Sequence, residues 1–214
     1  MSDQALAPSR FDLRASTYEG SVLQEFLFVP VQQTALGLGR RLRPRARGVL
    51  DVGCGTGRLL RSARQCYPAA ELVGVDLAGG MVATAVAVTP AGLGVRYVQA
   101  RAERLPFPDG RFDLVFATLS LRHWADLPVG IAEAARVLRP SGAMVLADIF
   151  RGGSRRDPWV LSRRRRRHAL VPAELDVVLG RQRLRVAVVE QTRWFGLPDA
   201  QVLAVQPFPA TSGA

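Results

Sequence analysis

A doubly wound α/β domain built on a mostly parallel sheet is what the sequence predicts, and two observations carry that expectation. Across residues 48–150, apolar runs of strand length alternate with segments long enough for a helix. Strands joined by helical crossovers make right-handed βαβ units, which stack into a parallel sheet with helices on both faces. The chain is also long enough to bury a sizeable core. Its 214 residues are 48% hydrophobic and 22% charged, an ordinary composition for one globular domain.

Taken in order, Gly48–Val52 reads as a buried strand: it is rich in branched residues and ends in glycines. Residues 58–67 place Leu59, Leu60, Ala63 and Tyr67 at helical spacing, with Pro68 to end the helix. A second strand follows at 71–75, then a helix at 81–88 ahead of Pro90. Val95–Gln99 and Phe112–Thr118 read as the third and fourth strands. A helix at 128–138 stops at Arg139-Pro140-Ser141-Gly142, a turn, and 143–150 reads as the fifth strand. Beyond Pro172 a short helix precedes two strand-like runs, 184–191 and 201–206, which suit an antiparallel hairpin on the sheet edge. The expected organisation is one domain over 1–214. Residues 1–47 form a helical cap over the ligand edge, 48–150 the core, and 151–214 an arginine-rich connection and hairpin.

Charge invites a different reading. The 29 basic residues against 18 acidic ones give a net +11, a balance often met in proteins that bind nucleic acid. Every one of those basic residues is arginine, however, and lysine is absent. Uniform replacement of lysine, beside abundant alanine, glycine and proline, points to base composition of the coding sequence, not to phosphate contacts. The run 163–167 is therefore read as a solvated face, and nucleic acid is not an expected partner. No window approaches the roughly 18 uninterrupted apolar residues of a membrane span. Met1-Ser2-Asp3-Gln4 lacks a basic stretch followed by an apolar run, so no secretory signal is expected. Cys54 and Cys66 are too few for a disulfide scaffold or a thiolate metal site. A reducing cytoplasm is the expected compartment, and no metal is expected.

The most informative segment is Val49-Leu50-Asp51-Val52-Gly53-Cys54-Gly55-Thr56-Gly57-Arg58. Glycines at 53, 55 and 57 let the backbone turn sharply after a strand and approach a ligand closely. The spacing is G-x-G-x-G, with Arg58 where a dinucleotide fingerprint needs glycine, which weakens a pyrophosphate reading. Asp76, 21 residues after Gly55 at the end of the second strand, lies where an acid faces the first loop across the ligand crevice. There it can accept bonds from two ribose hydroxyls, or cap the following helix, or do both.

Together with Gly74-Val75-Asp76-Leu77, the run 105–115 (Leu-Pro-Phe-Pro-Asp-Gly-Arg-Phe-Asp-Leu-Val) and the run 132–142, this loop resembles the class I S-adenosylmethionine-dependent methyltransferases. The likeness is to the small-molecule branch that includes the ubiquinone and menaquinone methyltransferases, and it covers about half the chain, residues 48–150. The resemblance implies a Rossmann-like sheet of seven strands in the order 3-2-1-4-5-7-6, with the seventh antiparallel. It implies S-adenosyl-L-methionine as cofactor, S-adenosyl-L-homocysteine as its product, and a small organic acceptor methylated at oxygen or carbon, with a homodimer left open. The alternatives are an RNA or protein methyltransferase, or a non-catalytic cofactor-binding scaffold with the same fold. Gly53, Cys54 and Gly55 would face the methionine part of the cofactor, and Asp51 would help orient its amino group. Asp76 would hold the ribose diol, while Leu77 and Met81 flank the adenine. Thr118 and Leu119 would line the methionine side near the methyl, and Tyr18 would close over the cofactor.

The chain departs from the family pattern at three places. Arg101 stands where an aspartate commonly accepts from the adenine amino group, so adenine recognition would lean on Ala102, Glu103 or shape. Arg122 replaces the first histidine of a pair in Leu121-Arg122-His123-Trp124, and Ser141 replaces a glycine. Methyl transfer is an in-line displacement in which orientation supplies much of the rate. A base helps only if the acceptor carries a proton, and His123, following the fourth strand at the ligand edge, is the residue that could serve.

Overall fold

The computed structural model describes residues 28–150, 170–194 and 197–208. Tyr18 and the run 163–167 lie outside them. The described chain contains α1 (Val29–Leu42), β1 (Gly48–Val52), α2 (Arg58–Cys66), β2 (Glu71–Asp76), α3 (Gly79–Val88), β3 (Val95–Gln99) and β4 (Phe112–Thr118). A 3-10 turn (Leu121–His123), α4 (Leu127–Val137), β5 (Leu138–Ile149), α5 (Pro172–Arg181), β6 (Leu184–Trp194) and β7 (Leu197–Pro207) follow.

All seven strands join one sheet in the order β3-β2-β1-β4-β5-β7-β6. The first five run parallel, and β7 is antiparallel to both β5 and β6. The order and the reversed last strand are those the resemblance implies. The hairpin is longer than the apolar runs suggest, because β6 and β7 each extend over 11 residues.

Alternation along the buried strands divides the core in two. Leu50, Val52, Val115, Met144 and Leu146 pack on one face with Ile131 and Val137 of α4 and Leu175 and Leu179 of α5. Val49, Leu72, Leu114, Phe116 and Val145 pack on the other with Leu59 and Leu60 of α2 and Leu36 and Leu38 of α1. Parallel strands buried on both faces need apolar residues at nearly every position, which is why the sequence shows runs there and not alternation.

One expectation needs correction, and another falls mostly outside the described residues: of the helical cap expected over 1–47, only α1 is described. α1 runs down the sheet face, with Gly39 so close to the ring of Phe116 that a Cβ would stand 2.6 Å from it. Its C-terminal Arg43 donates to the carbonyls of Ser141 and Gly142, at the N-terminal end of β5. The turn expected at 139–142 is instead part of β5, which begins at Leu138; the register with β4 shifts between Phe112 and Leu114 to admit it.

Candidate functional site

The three glycines of the β1–α2 loop sit at φ 78° (Gly53), 53° (Gly55) and 79° (Gly57), backbone that side-chain-bearing residues rarely adopt. Close packing enforces two of them. A Cβ on Gly53 would lie 2.4 Å from the Cβ of Ser120, and one on Gly57 2.3 Å from the Tyr97 hydroxyl. Gly55 is different: among the described residues nothing lies within 4 Å of where its Cβ would be, so they leave this part of the loop uncovered. The amides of Gly53 and Cys54 both donate to the carbonyl of Val75, which binds the loop to the end of β2.

Asp76 completes that junction. One carboxylate oxygen accepts from the amide of Gly55 at 2.8 Å and the other from the amide of Ala78 at 2.9 Å. The capping role foreseen for it is not the one it takes: the N-cap of α3 is Ala78, that helix has no side-chain cap bond, and Asp76 instead ties the loop to the turn that leads into it. Beside it, Leu77 is an exposed apolar side chain, while Met81 is buried. Gln99 fixes the turn by donating to the Leu77 carbonyl at 3.1 Å.

Asp51 is the anomaly of the site. It is buried in the middle of the sheet, and its Oδ1 has no hydrogen-bond partner among the described residues. Burial, reinforced by the nearby Asp76 charge, pushes its carboxyl up to about 8. A buried, unsatisfied carboxyl is costly unless a ligand completes it. Cys54 next to it is buried, and burial with the neighbouring Asp51 and Asp76 charges pushes its thiol well up, so it packs and does not act as a nucleophile.

Across the crevice, Ser120 donates to the carbonyl of Val52 at 2.9 Å, tying the end of β4 to the end of β1. Thr118 and Leu119 are buried there, and Leu119 holds φ 55°, a strained value for a non-glycine residue, while its amide donates to Ala147. Asp51, Gly53, Gly55, Asp76, Thr118 and Leu119 therefore share one edge of the sheet. Glu103 is placed otherwise. Its Oε1 accepts from the amides of Ala125 (2.7 Å) and Asp126 (3.1 Å), so it pins the entry to α4. Arg101 is exposed and its backbone closes a short turn with Arg104, while Ala102 between them is buried. His123 is exposed at the end of the 3-10 turn.

The comparisons agree with this geometry. The family model described as a methyltransferase domain matches residues 50–146. Over 194 residues the chain is 35% identical to the nocamycin O-methyltransferase of Saccharothrix syringae, a match over 89% of this chain and 67% of that one. The chain belongs to the S-adenosylmethionine-dependent methyltransferase family. It is also 42% identical over 101 residues to the demethylmenaquinone methyltransferase of Thermus thermophilus, over 47% of this chain and 46% of that protein. This methyltransferase chain spans about half the length of several curated relatives it matches. A solved S-adenosylmethionine-dependent methyltransferase of Aquifex aeolicus shares the fold with a TM-score of 0.70 at 20% identity, over 91% of this chain and 97% of that one. Among the described residues, no helix is long and apolar enough to cross a membrane.

Sequence reasoning passed over one pair at the same edge. Asp148, on β5, is fully buried and forms an ion pair with Arg122. The signal was available: an acid inside an otherwise apolar run that is buried on both faces must have a partner.

Proposed function

We propose that this chain is an enzyme transferring a methyl group from S-adenosyl-L-methionine to an oxygen or carbon of a small organic molecule. The observation that carries the reading is the buried Oδ1 of Asp51, unpartnered among the described residues, beneath a glycine loop that they leave uncovered at Gly55. The cofactor fits those residues. Asp51 would answer its ammonium, Asp76 would accept from its ribose diol, and the exposed Leu77 would pack on its adenine.

When bound, the cofactor supplies a methyl group already activated on a positively charged sulfur. What remains for the protein is orientation and exclusion of water. Gly53 and Gly57 shape the cradle, Asp76 fixes the loop against β2, and the buried Thr118–Leu119 segment borders the side where an acceptor would approach. Oxygen is the favoured acceptor atom, by analogy with the nocamycin O-methyltransferase. Where that oxygen carries a proton, His123 on the same edge is the base we assign.

Calorimetric titration with S-adenosylmethionine and S-adenosylhomocysteine tests the reading. Binding in the micromolar range is expected, about −8 kcal/mol at 1 μM. Methyl transfer from radiolabelled cofactor to phenols, quinones and hydroxylated metabolites then follows. A folded protein that binds neither ligand overturns the proposal.

A further inference from the structure

Two arginines of this molecule, Arg136 and Arg64, use all three guanidinium nitrogens on the protein itself. Arg136 donates from Nε, Nη1 and Nη2 to Glu133, Asp109 and the carbonyls of Phe107 and Leu105. Arg64 likewise donates from Nε, Nη1 and Nη2, to the carbonyls of Leu93, Tyr67, Pro68, Ala70 and Gly94. Arg122 is held from one side only. Its Nη1 meets Asp148 Oδ1 and its backbone amide donates to Asp148 Oδ2 at 3.3 Å, while Nε and Nη2 have no hydrogen-bond partner among the described residues. The Arg122 side chain is 19% exposed and that of Asp148 0%. Asp148 is further fixed by the amide of Ile149, which donates to its Oδ1 at 2.8 Å.

Position gives the pair its meaning. Thr118 pairs with Ala147, so Asp148 stands one residue beyond that register, on the strand adjacent to Leu119. Arg122 follows Leu119 by three residues, in the turn that leaves β4. The side of the guanidinium that has no partner among the described residues thus belongs to the edge where the acceptor would enter. A buried ion pair contributes little net stability compared with apolar packing, since desolvation offsets the attraction. A carboxylate that grips one side of an arginine does, however, orient its planar fork, and that fork matches another carboxylate with two parallel bonds.

We propose that the methyl acceptor is a small carboxylic acid, bound as its carboxylate by the free donors of Arg122. The inference rests on the methyltransferase reading and adds the substrate class. A carboxylate oxygen forms a bond to the methyl carbon as the carbon–sulfur bond breaks. The electron pair of that bond stays on sulfur, and the products are a methyl ester and a neutral thioether. No proton is moved, so this acceptor needs no base. The acid retains one oxygen on Arg122 while the other attacks.

Two measurements on the full chain with S-adenosylhomocysteine bound test it. In the first, acetate is titrated against the arginine side-chain N–H signals, with Arg122 assigned by the signal lost in Arg122→Lys. A saturable shift of that signal with acetate, absent with chloride at equal ionic strength, is expected; identical behaviour with both salts overturns the inference. In the second, radiolabelled methyl transfer is compared between aromatic and aliphatic acids and their primary amides. Acids are labelled and amides are not. The paired variant Arg122→Gln with Asp148→Asn leaves no lone buried charge. It should lose about tenfold or more of the acid labelling, the scale of one charge-assisted hydrogen bond, with S-adenosylhomocysteine affinity unchanged. Amides labelled as well as acids, or no acid labelled while S-adenosylhomocysteine binds, overturns the substrate class and leaves the methyltransferase reading standing. If wild-type protein binds no S-adenosylhomocysteine, the methyltransferase reading falls, and this inference with it.

Discussion

At the N-terminal edge of the sheet, Asp113 accepts from the amides of Arg47 (2.8 Å) and Gly48 (2.9 Å) and from Arg139 (2.6 Å). At the C-terminal edge, Asp51 is buried more deeply and its Oδ1 accepts from nothing among the described residues. Burial pushes both carboxyls up. At Asp113 the two amides and the Arg139 guanidinium outweigh that and hold it below the usual carboxylate range, whereas at Asp51 no donor answers burial. The contrast extends to the neighbours. Around Arg136, side chain and backbone satisfy one another across the β3–β4 connection and α4. Around Asp51, glycines are held in the left-handed region and Leu119 is strained. One edge closes the fold, and the other, on the function proposed above, keeps polar groups and strain in reserve for a ligand.

The largest effect expected is at Gly53, where the contrast is sharpest because a ligand-edge residue is also tightly packed. Gly53→Val adds a side chain at φ 78° and drives a Cβ to 2.4 Å from Ser120. Left-handed strain and overpacking together predict about 2–5 kcal/mol of lost stability, read from denaturant unfolding. A variant as stable as the parent would show that the loop can relax and that its shape is not imposed. Next comes Arg136→Ala, at the opposite end of β4. It strands the carbonyls of Leu105 and Phe107 and the carboxylate of Glu133, at a cost of about 2–3 kcal/mol. Cofactor affinity in the folded protein should not change. A parallel loss of affinity would mean that the two edges are coupled and that the division drawn above is wrong.

That division also explains how the sequence could be read. Buried parallel strands announce themselves as apolar runs, so Val49, Val73, Val115 and Val145 found their places without tertiary information. The loop glycines and Asp76 were legible because positive φ and a carboxylate at a strand end each leave few residue choices. Two of the motifs behind the family resemblance, 105–115 and 132–142, bind each other: Gly110 donates to the Arg136 carbonyl at 2.9 Å, and Arg136 returns bonds to Leu105 and Phe107. They identify the family through its scaffold and say nothing of the acceptor. Glu103 was harder, since its bonds to Ala125 and Asp126 depend on how the β3–β4 connection folds back. The Arg122–Asp148 pair joins residues 26 positions apart, and only the β4–β5 register brings them together. The path of α1 down the sheet face likewise follows from packing of Gly39 on Phe116, which no periodicity reveals.

Smaller effects belong to the ligand edge alone. Asp76→Ala should lose about 1–3 kcal/mol of cofactor binding by calorimetry, through ribose hydroxyls left unpaired. It also frees the amides of Gly55 and Ala78, so thermal unfolding must be measured beside it. Unchanged affinity in a folded variant would remove Asp76 from the cofactor site and leave it only a joint in the scaffold.

The last effect is set by pH, and its sign follows from Asp51. In the folded protein this carboxyl titrates at about 8, against an ordinary value of 3.8. Between those values the folded state holds a proton that the unfolded state has released, so stability without cofactor is greatest below the lower value. It declines as pH rises toward the upper one and is flat beyond. Binding runs the other way. Pairing Asp51 with an ammonium requires its ionised form, so association below about pH 8 must expel a proton, and affinity rises by up to about tenfold per pH unit. Above about pH 8 the cofactor's own α-amino group, with an ordinary value of about 7.7–8.0, loses its proton and the trend reverses. Affinity should therefore peak near pH 8, with proton release below the peak detected by titration in buffers of different ionisation enthalpy. Asp51→Asn should bind more weakly, release no proton and lack the rising limb. A wild-type affinity flat from pH 6 to 8 would mean that Asp51 is already ionised and partnered, and the distinction between the two edges would lose its strongest member.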